Sequence, residues 1–373
     1  MSEKMGTWQE KVSAIIGDLL EDLKSRESIS GVCLFGSWGR GDAVSSSDID
    51  LLIVDSRDIN YEYVERAHIE GYFLDLDYIP ERWVLREFPP EVDQKLYEAE
   101  ILFDRKGRLA RAKEMMLKIY SQPERVDLRT MNYLTEADIF LSRGISAHNK
   151  GDFQSAKVNA AAGFDAVMKI LIELNRLPIS NSHFVRSIES SVERFNAPKL
   201  LEDYLIISSL SQLDSHDAED ILSSLTIVWR EASEFVEANS STINTLHYKV
   251  ANNLKYYCKE SFWKGMFARA LSLIEDSLFA EAVHYMFSTS LNMLENYAWL
   301  ISAVEKTRFD FTTILQFLKE SKESPDTIYK KTAEAFRVCE VSEQEAEKAL
   351  RRVKEVTLGI RQKRRELIAG LFS

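Results

Sequence analysis

The chain has 373 residues, of which 45% are hydrophobic, and this length is sufficient for two or three domains. Its formal net charge of −12 argues against broad, non-specific nucleic-acid binding, which needs clustered lysines and arginines. No apolar run approaches the roughly 18–20 residues of a membrane span, and the N-terminus lacks the pattern of a secretory signal. The three cysteines have no metal-ligand spacing. We therefore expect a cytoplasmic protein that has no membrane partner.

The first third of the chain alternates between segments with the periodicity of helices and segments with the periodicity of strands. The predicted helices cover residues 8–26, 60–70, 82–98 and 108–120, and the predicted strands cover residues 31–35, 49–54, 72–79 and 99–103. Such an alternation indicates an α/β (α+β) domain in which helices cover a mixed sheet. Polar residues and a proline at 121–124 then interrupt the pattern, so we place the end of this domain at residue 123.

From about residue 128 onward the sequence shows only helical periodicity and predicts a large all-α region. Helices are predicted at 129–149, 152–176, 181–195, 198–211, 217–238, 245–273, 278–304, 309–320, 325–338 and 342–369. Two of them carry apolar stripes of identical spacing, 126 positions apart. The first stripe is Ala156, Ala160, Phe164, Val167, Leu171 and Leu174, and the second is Ala282, Met286, Ser290, Met293, Tyr297 and Leu300. This repetition favours a duplicated bundle, with units at 124–240 and 241–373.

The most informative motif lies between the first two predicted strands. Gly36-Ser37-Trp38-Gly39-Arg40-Gly41 follows a short apolar strand, and Ser47-Asp48-Ile49-Asp50 enters the next one. Alternate residues of a strand share a face, so Asp48 and Asp50 point the same way. Two carboxylates held together favour a cation between them, and the backbone of a Gly-Ser turn can face phosphate oxygens. The motif therefore indicates metal-dependent chemistry on a nucleoside triphosphate.

This motif resembles the signature of the polymerase-beta-like nucleotidyltransferase superfamily, in the branch of the minimal and kanamycin-type nucleotidyltransferases. That family carries a third carboxylate on a later strand, which the segment 72–80 supplies here. Asp75 and Asp77 lie on one strand face, so periodicity alone does not choose between them. We favour Asp75, because leucines flank it and similar family strands carry the acid five residues before a proline.

The resemblance implies Mg²⁺ as the cofactor and roles for individual residues. Asp48, Asp50 and Asp75 would be the metal-binding and catalytic residues, since Mg²⁺ prefers carboxylate and phosphate oxygens. Gly36 and Ser37 would bind the β- and γ-phosphates. Arg40 and Ser47 are further nucleotide-binding candidates.

The resemblance further implies transfer of a nucleoside monophosphate from NTP, with ATP as the expected donor, to an acceptor hydroxyl with release of pyrophosphate. A small molecule or a protein is favoured over RNA as acceptor because the chain is acidic. A helical region after such a domain is also family architecture, in which it helps to bind the acceptor. Glu136 and Asp138 are candidates for the general base. The sequence leaves a homo-oligomer open.

Two alternative functions remain at this point. The first is a nucleotide-binding regulatory or antitoxin-like partner protein that has no turnover. The second is a ribonuclease of the HEPN type, since Arg143 and His148 fit the Arg-x4-His pattern of those helical bundles.

Overall fold

The computed structural model describes residues 2–45 and 47–370, apart from the side chains of residues 2–7. Residue 1 of the first predicted domain, residue 46, and residues 371–373 of the last predicted domain lie outside the described residues. Contacts divide the chain into two units, 1–125 and 126–373. The boundary between these units, after residue 125, lies two residues from the predicted boundary at 123. The predicted boundary at 240 stays a prediction.

The first unit contains a mixed sheet, as the sequence predicts, but with five strands instead of the four predicted. The strands are β1 (Ile29–Phe35), β2 (Ile49–Asp55), β3 (Tyr63–Ile69), β4 (Tyr72–Pro80) and β5 (Glu100–Asp104), and their order is β3-β4-β2-β1-β5. Only β2 and β4 pair in parallel; the other neighbours are antiparallel. The helices are α1 (Ser2–Ser25), α2 (Gly36–Arg40), α3 (Asp93–Glu98) and α4 (Arg108–Ile119).

The two faces of the sheet carry different cores. On one face, α1 packs its apolar stripe, which includes Val12 and Leu23, against strand residues such as Leu51 and Leu76. The other face is covered by α3, α4 and the segment that precedes α3. Its core residues come from the alternate strand positions, among them Leu52. Because successive strand residues face opposite sides, this division fixes which side chains can meet at the ends of the strands.

Two sequence predictions in this unit are wrong. The segment 60–70 is not a helix but the edge strand β3, which forms a hairpin with β4. Its turn is Glu70-Gly71, where both φ angles are positive (51° and 89°), as the tight turns favoured in hairpins require. The segment 82–98 is broken into a π-helical turn (Trp83–Glu87), a 3₁₀ turn (Pro90–Val92) and α3, because Pro89 and Pro90 interrupt a continuous helix.

The second unit is helical throughout its described part, as predicted. Its helices are α5 (Pro123–Asn149), α6 (Phe153–Leu174), α7 (Phe184–Arg194), α8 (Pro198–Ile207), α9 (Ser215–Ala238), α10 (Ser240–Ile243), α11 (Tyr248–Tyr257), α12 (Glu260–Glu275), α13 (Phe279–Glu305), α14 (Ile314–Glu320), α15 (Asp326–Ala335) and α16 (Glu343–Gly370). The predicted helix 245–273 is divided into α11 and α12. One hydrophobic cluster of described residues runs from Val126 to Ile368. No helix in the described ranges is long and apolar enough to cross a membrane.

The backbone around the two apolar stripes supports the predicted duplication. Every residue of both stripes is buried. The helix before each stripe ends at Asn149 or Glu275, and the stripe helix begins at Phe153 or Phe279, again 126 positions apart. Both turns close with the same pair of backbone bonds, from residue 151 to 148 and from 152 to 147 in the first turn. This Schellman motif also ends other helices of the unit. The equal offset of the helix bounds is therefore a more specific sign of duplication than the turn motif is. The duplication itself stays a prediction.

The two turns differ in the residue at their left-handed position, which gives a test. Gly151 has φ of 81° and Ser277 has φ of 60°. A side chain in this conformation costs free energy that glycine avoids. We expect Gly151→Ala to lower the free energy of unfolding by about 1 kcal/mol and Ser277→Gly to raise it by about 0.5–1 kcal/mol. A Cβ at Gly151 meets no described atom within 4 Å, so the free-energy cost of Gly151→Ala comes from the backbone conformation alone. Urea unfolding measures both changes, and shifts of the same sign would contradict the equivalence.

Candidate active site

A row of four side chains crosses the sheet at one end. Phe35 on β1 lies opposite Asp50 on β2, Asp50 lies opposite Asp75 on β4, and Asp75 lies opposite Arg66 on β3. Directly opposed residues project from the same face, so the two carboxylates and the guanidinium are neighbours by register. This is the face covered by α3 and α4. Asp48, two residues before Asp50, belongs to the same face.

Arg66 holds the carboxylates of two strands together. Its Nη1 donates to Oδ2 of Asp75 at 2.6 Å, and its Nη2 donates to Oδ2 of Asp48 at 2.8 Å. The arginine side chain is only 2% exposed, whereas those of Asp48 and Asp75 are 22% and 15% exposed. A planar guanidinium suits this task, because its donors are fixed and its charge is permanent.

The remaining negative charge raises the pKa of two of the acids. Burial is the largest cause for Asp50, and the carboxylates of Asp75 and Asp48 add to it, so that the pKa of Asp50 lies well above its usual value. Burial also raises the pKa of Asp75 to about 6, although Arg66 opposes this rise. Since one guanidinium does not balance three carboxylates, the cluster favours a further positive charge or a proton.

The structure gives Asp75 and Asp77 different surroundings. Asp77 lies opposite Leu52 rather than opposite Asp50, and its Oδ2 accepts from Nζ of Lys95 at 2.5 Å. The same ammonium also bonds to Glu62. Both acids are thus in ion pairs, and what distinguishes Asp75 is its position opposite Asp50 and its Oδ1, which has no hydrogen-bond partner among the described residues. This difference favours Asp75 as the third acid.

The turn after β1 lies directly against Asp50. Gly36 has φ of 62°, and a Cβ built on it would lie 2.5 Å from Oδ2 of Asp50. Gly39 is equally confined, because its Cβ would lie 2.7 Å from the carbonyl oxygen of Glu98. These two glycines let the backbone approach the carboxylate and α3 more closely than any other residue would allow.

The other predicted nucleotide-binding residues have contacts within the protein. Arg40 donates to Glu98 at 2.9 Å and to Asp42 at 3.2 Å, so it fastens the turn to α3. The hydroxyl of Ser47 accepts from the backbone N–H of Val44 at 3.0 Å and orders the loop before β2. Ser37 lies in α2, beside the Gly36 turn. The nucleotide-binding roles of these residues stay predictions.

The donor set fits a divalent cation of the Mg²⁺ type. Asp75 Oδ1 is buried and has no hydrogen-bond partner among the described residues, which leaves it available to a cation. Carboxylate oxygens are the ligands that Mg²⁺ prefers. However, no group of three His, Cys, Asp or Glu side chains in the described ranges is arranged as a complete metal site. Arg66 takes one oxygen from each of two predicted ligands instead.

The candidates in the helical unit are engaged in contacts of their own. Glu136 accepts from Nζ of Lys169 at 2.9 Å, and both oxygens of Asp138 accept from Arg361 at 2.5 and 2.6 Å. A general-base role for either acid stays a prediction.

The two residues of the Arg-x4-His pattern also have separate surroundings. Arg143 donates to Glu295 at 2.8 Å, and the ring of His148 lies beside that of Phe153. Arg143 is thus engaged in an ion pair within the helical unit, and the ribonuclease alternative stays a prediction.

Sequence reasoning missed Arg66, Lys95 and Glu98. The signal for Arg66 was present, because Glu70-Gly71 is a two-residue turn and residues at equal distances from such a turn face each other. Arg66 and Asp75 are both four residues from it. A prediction of a hairpin instead of a helix would have placed the guanidinium beside the third acid.

The acid cluster lies within a segment that matches a known protein family. Residues 16–136 match the family model described as a nucleotidyltransferase domain. No sequence among the curated proteins matches the chain. The chain is similar to a crystal structure of a nucleotidyltransferase-like protein from Exiguobacterium sibiricum 255-15, with 11% identity, a TM-score of 0.32 and coverage of 87% of this chain and 88% of that one.

The raised pKa of Asp75 predicts how stability depends on pH. The folded protein binds a proton at Asp75 up to a pH of about 6, whereas the unfolded chain loses it near the ordinary value of 3.8. The contribution of Asp75 to the free energy of unfolding therefore falls as the pH rises from about 4 through 6, by up to about 3 kcal/mol. Urea unfolding in EDTA between pH 5 and pH 8 should show a shallower decrease for Asp75→Asn than for the wild type. Equal slopes would contradict the assignment.

Proposed function

Because residues 16–136 form a nucleotidyltransferase domain, we propose that the protein transfers a nucleoside monophosphate from a nucleoside triphosphate, with ATP as the expected donor, to an acceptor hydroxyl. The reaction is Mg²⁺-dependent and releases pyrophosphate. The observation that carries this proposal is the cluster of Asp48, Asp50 and Asp75 around one guanidinium at the end of the sheet, with the Gly36 turn against it.

Different residues bind the metal ion and the phosphates. Asp48, Asp50 and Asp75 hold Mg²⁺, which, when bound, neutralises phosphate oxygens and favours displacement at the α-phosphorus. Their like charges and the raised pKa values of Asp50 and Asp75 support this role, because a bound divalent cation removes that electrostatic cost. The backbone of Gly36 and the hydroxyl of Ser37 bind the outer phosphates of the triphosphate.

The chemical step is a displacement at the α-phosphorus. The acceptor oxygen forms a bond to this phosphorus, the bond from it to the oxygen that bridges to the β-phosphate breaks, and pyrophosphate leaves with that electron pair. The proton of the acceptor hydroxyl passes to solvent water.

The acceptor is a small molecule or a protein rather than RNA. The net charge of −12 opposes the approach of a polyanion, and binding to nucleic acid normally relies on lysine and arginine contacts to phosphates. Binding of a small molecule or a protein through a single acceptor hydroxyl does not require such contacts.

One observation favours a second candidate function, nucleotide binding without turnover. Arg66 neutralises part of the acid cluster and takes an oxygen from each of two predicted metal ligands. If the guanidinium excluded every divalent cation, the domain would hold a nucleotide without transferring it. Release of pyrophosphate in the presence of Mg²⁺ and an acceptor distinguishes the two functions.

Replacement of Asp50 tests the catalytic proposal. Asp50→Asn keeps the size of the side chain and removes one of the clustered charges, so the variant should be more thermally stable than the wild type in EDTA. It should lose Mg²⁺-dependent pyrophosphate release by at least about 100-fold, the scale for removing one electrostatic contact to a transition state. The matched control is Asp58→Asn, at an exposed position beyond the far end of β2, which should keep its activity. Wild-type activity in Asp50→Asn would contradict the assignment.

A pair of glycines tests the phosphate turn. Gly36 and Gly41 both have positive φ, of 62° and 81°. A Cβ at Gly36 would displace the Asp50 carboxylate, whereas a Cβ at Gly41 meets no described atom within 4 Å. We expect Gly36→Ala to weaken binding of Mg²⁺–ATP at least tenfold in titration calorimetry. Gly41→Ala, with the same type of backbone strain, should bind as the wild type does. Equal loss in both variants would indicate that strain alone matters.

A further inference from the structure

Arg66 has the surroundings of a permanent part of the acid cluster. Its register opposite Asp75 is fixed by six other residue pairs of β3 and β4, three between Arg66 and the Glu70-Gly71 turn and three beyond Arg66. The guanidinium carbon lies 5.2 Å from the ring centre of Phe73, and the side chain is 2% exposed. Moving it into solvent would break two charge-assisted hydrogen bonds and leave two carboxylates without their counter-charge.

The oxygens that this arginine occupies restrict the space for divalent cations. Arg66 bonds to one oxygen each of Asp48 and Asp75, so neither of these oxygens is available to an ion. Its fixed positive charge lies between these two acids, where the charge of a second ion would otherwise lie. Oδ1 of Asp75, which is buried and has no hydrogen-bond partner among the described residues, stays available to one ion.

The neighbouring acid is engaged in contacts of its own. Asp77 follows Asp75 on the same strand face, but its Oδ2 bonds to Lys95, which also pairs with Glu62. Asp77 is therefore not a spare ligand for a second ion.

Many sites for phosphoryl transfer hold two divalent ions close together. We propose that Arg66 is a built-in cation that replaces one of these two ions, so that this protein uses a single divalent ion. The remaining ion is bound by oxygens that Arg66 leaves unbonded, which include Asp75 Oδ1 and the carboxylate of Asp50. Arg66 thereby positions Asp48 and Asp75 and supplies a fixed positive charge that needs no metal. This inference rests on the proposed function, because it assumes that a metal–nucleotide complex binds here.

Counting bound Mn²⁺ tests the inference without any measurement of activity. The full-length protein is saturated with an ATP analogue that has a methylene group between the α- and β-phosphorus atoms and is titrated with Mn²⁺. Two ions about 3.5–4 Å apart would couple magnetically and broaden the electron paramagnetic resonance spectrum. We expect one Mn²⁺ per wild-type chain and an uncoupled six-line spectrum.

Variants of the arginine complete the experiment. Arg66→Gln removes the built-in charge and should raise the count from one to two, with a coupled spectrum. Arg66→Lys keeps the charge and should bind one. The matched control is Arg57→Gln, which removes an arginine paired with Asp55 at the other end of β2 and should leave the count at one.

The outcomes are distinct. Two coupled ions in the wild type would overturn the inference and leave the proposed function standing, and one ion in a folded Arg66→Gln variant would overturn it too. If Arg66→Gln does not fold, the wild type and Arg66→Lys decide. Absence of bound Mn²⁺ in the presence of the analogue would contradict the proposed function and this inference together.

Discussion

The repulsion among three carboxylates at one end of the sheet is the constraint to which the rest of the site responds. Asp48, Asp50 and Asp75 are brought together by the pairing of β2 with β4, and in water they would repel one another little. Against a buried sheet face the same charges interact strongly. Arg66 joins two of the three acids, and burial, together with the neighbouring carboxylates, raises the pKa of Asp50. A site with this residual charge attracts a cation, which is the property that a metal-dependent enzyme needs.

Helix α3 supplies contacts to both sides of this cluster. Its Lys95 pairs with Asp77, the acid next to Asp75 on the same face, and its Glu98 pairs with Arg40 of the turn. Gly36 and Gly39 allow the turn to approach both Asp50 and α3, where any side chain would intrude. The helix therefore supports the Gly36 turn in addition to covering the sheet.

Much of this arrangement could be predicted from the sequence. The spacing of Asp48 and Asp50 before the apolar run 51–54 identifies both the strand and the shared face, and the long helical periodicities identify the second unit. Strand β3 could not be found by the same criterion. As an edge strand whose buried residue is Arg66, it lacks the alternation of apolar side chains that a half-buried strand normally shows. The preference for Asp75 over Asp77 came from the sequence, whereas the ion pair of Asp77 with Lys95 depends on the fold and could not be predicted.

The central claim is that the acid cluster beside the Gly36 turn binds a divalent cation together with a nucleoside triphosphate. A crystal structure of the full chain with Mn²⁺ and a non-hydrolysable ATP analogue, with anomalous difference density recorded at the manganese edge, tests it most directly. The account predicts a manganese peak in coordination with Asp50, the triphosphate along the Gly36-Ser37 backbone, and Arg66 still bonded to Asp48 and Asp75. Density for the nucleotide elsewhere, or no manganese peak at these carboxylates under saturating conditions, would contradict it.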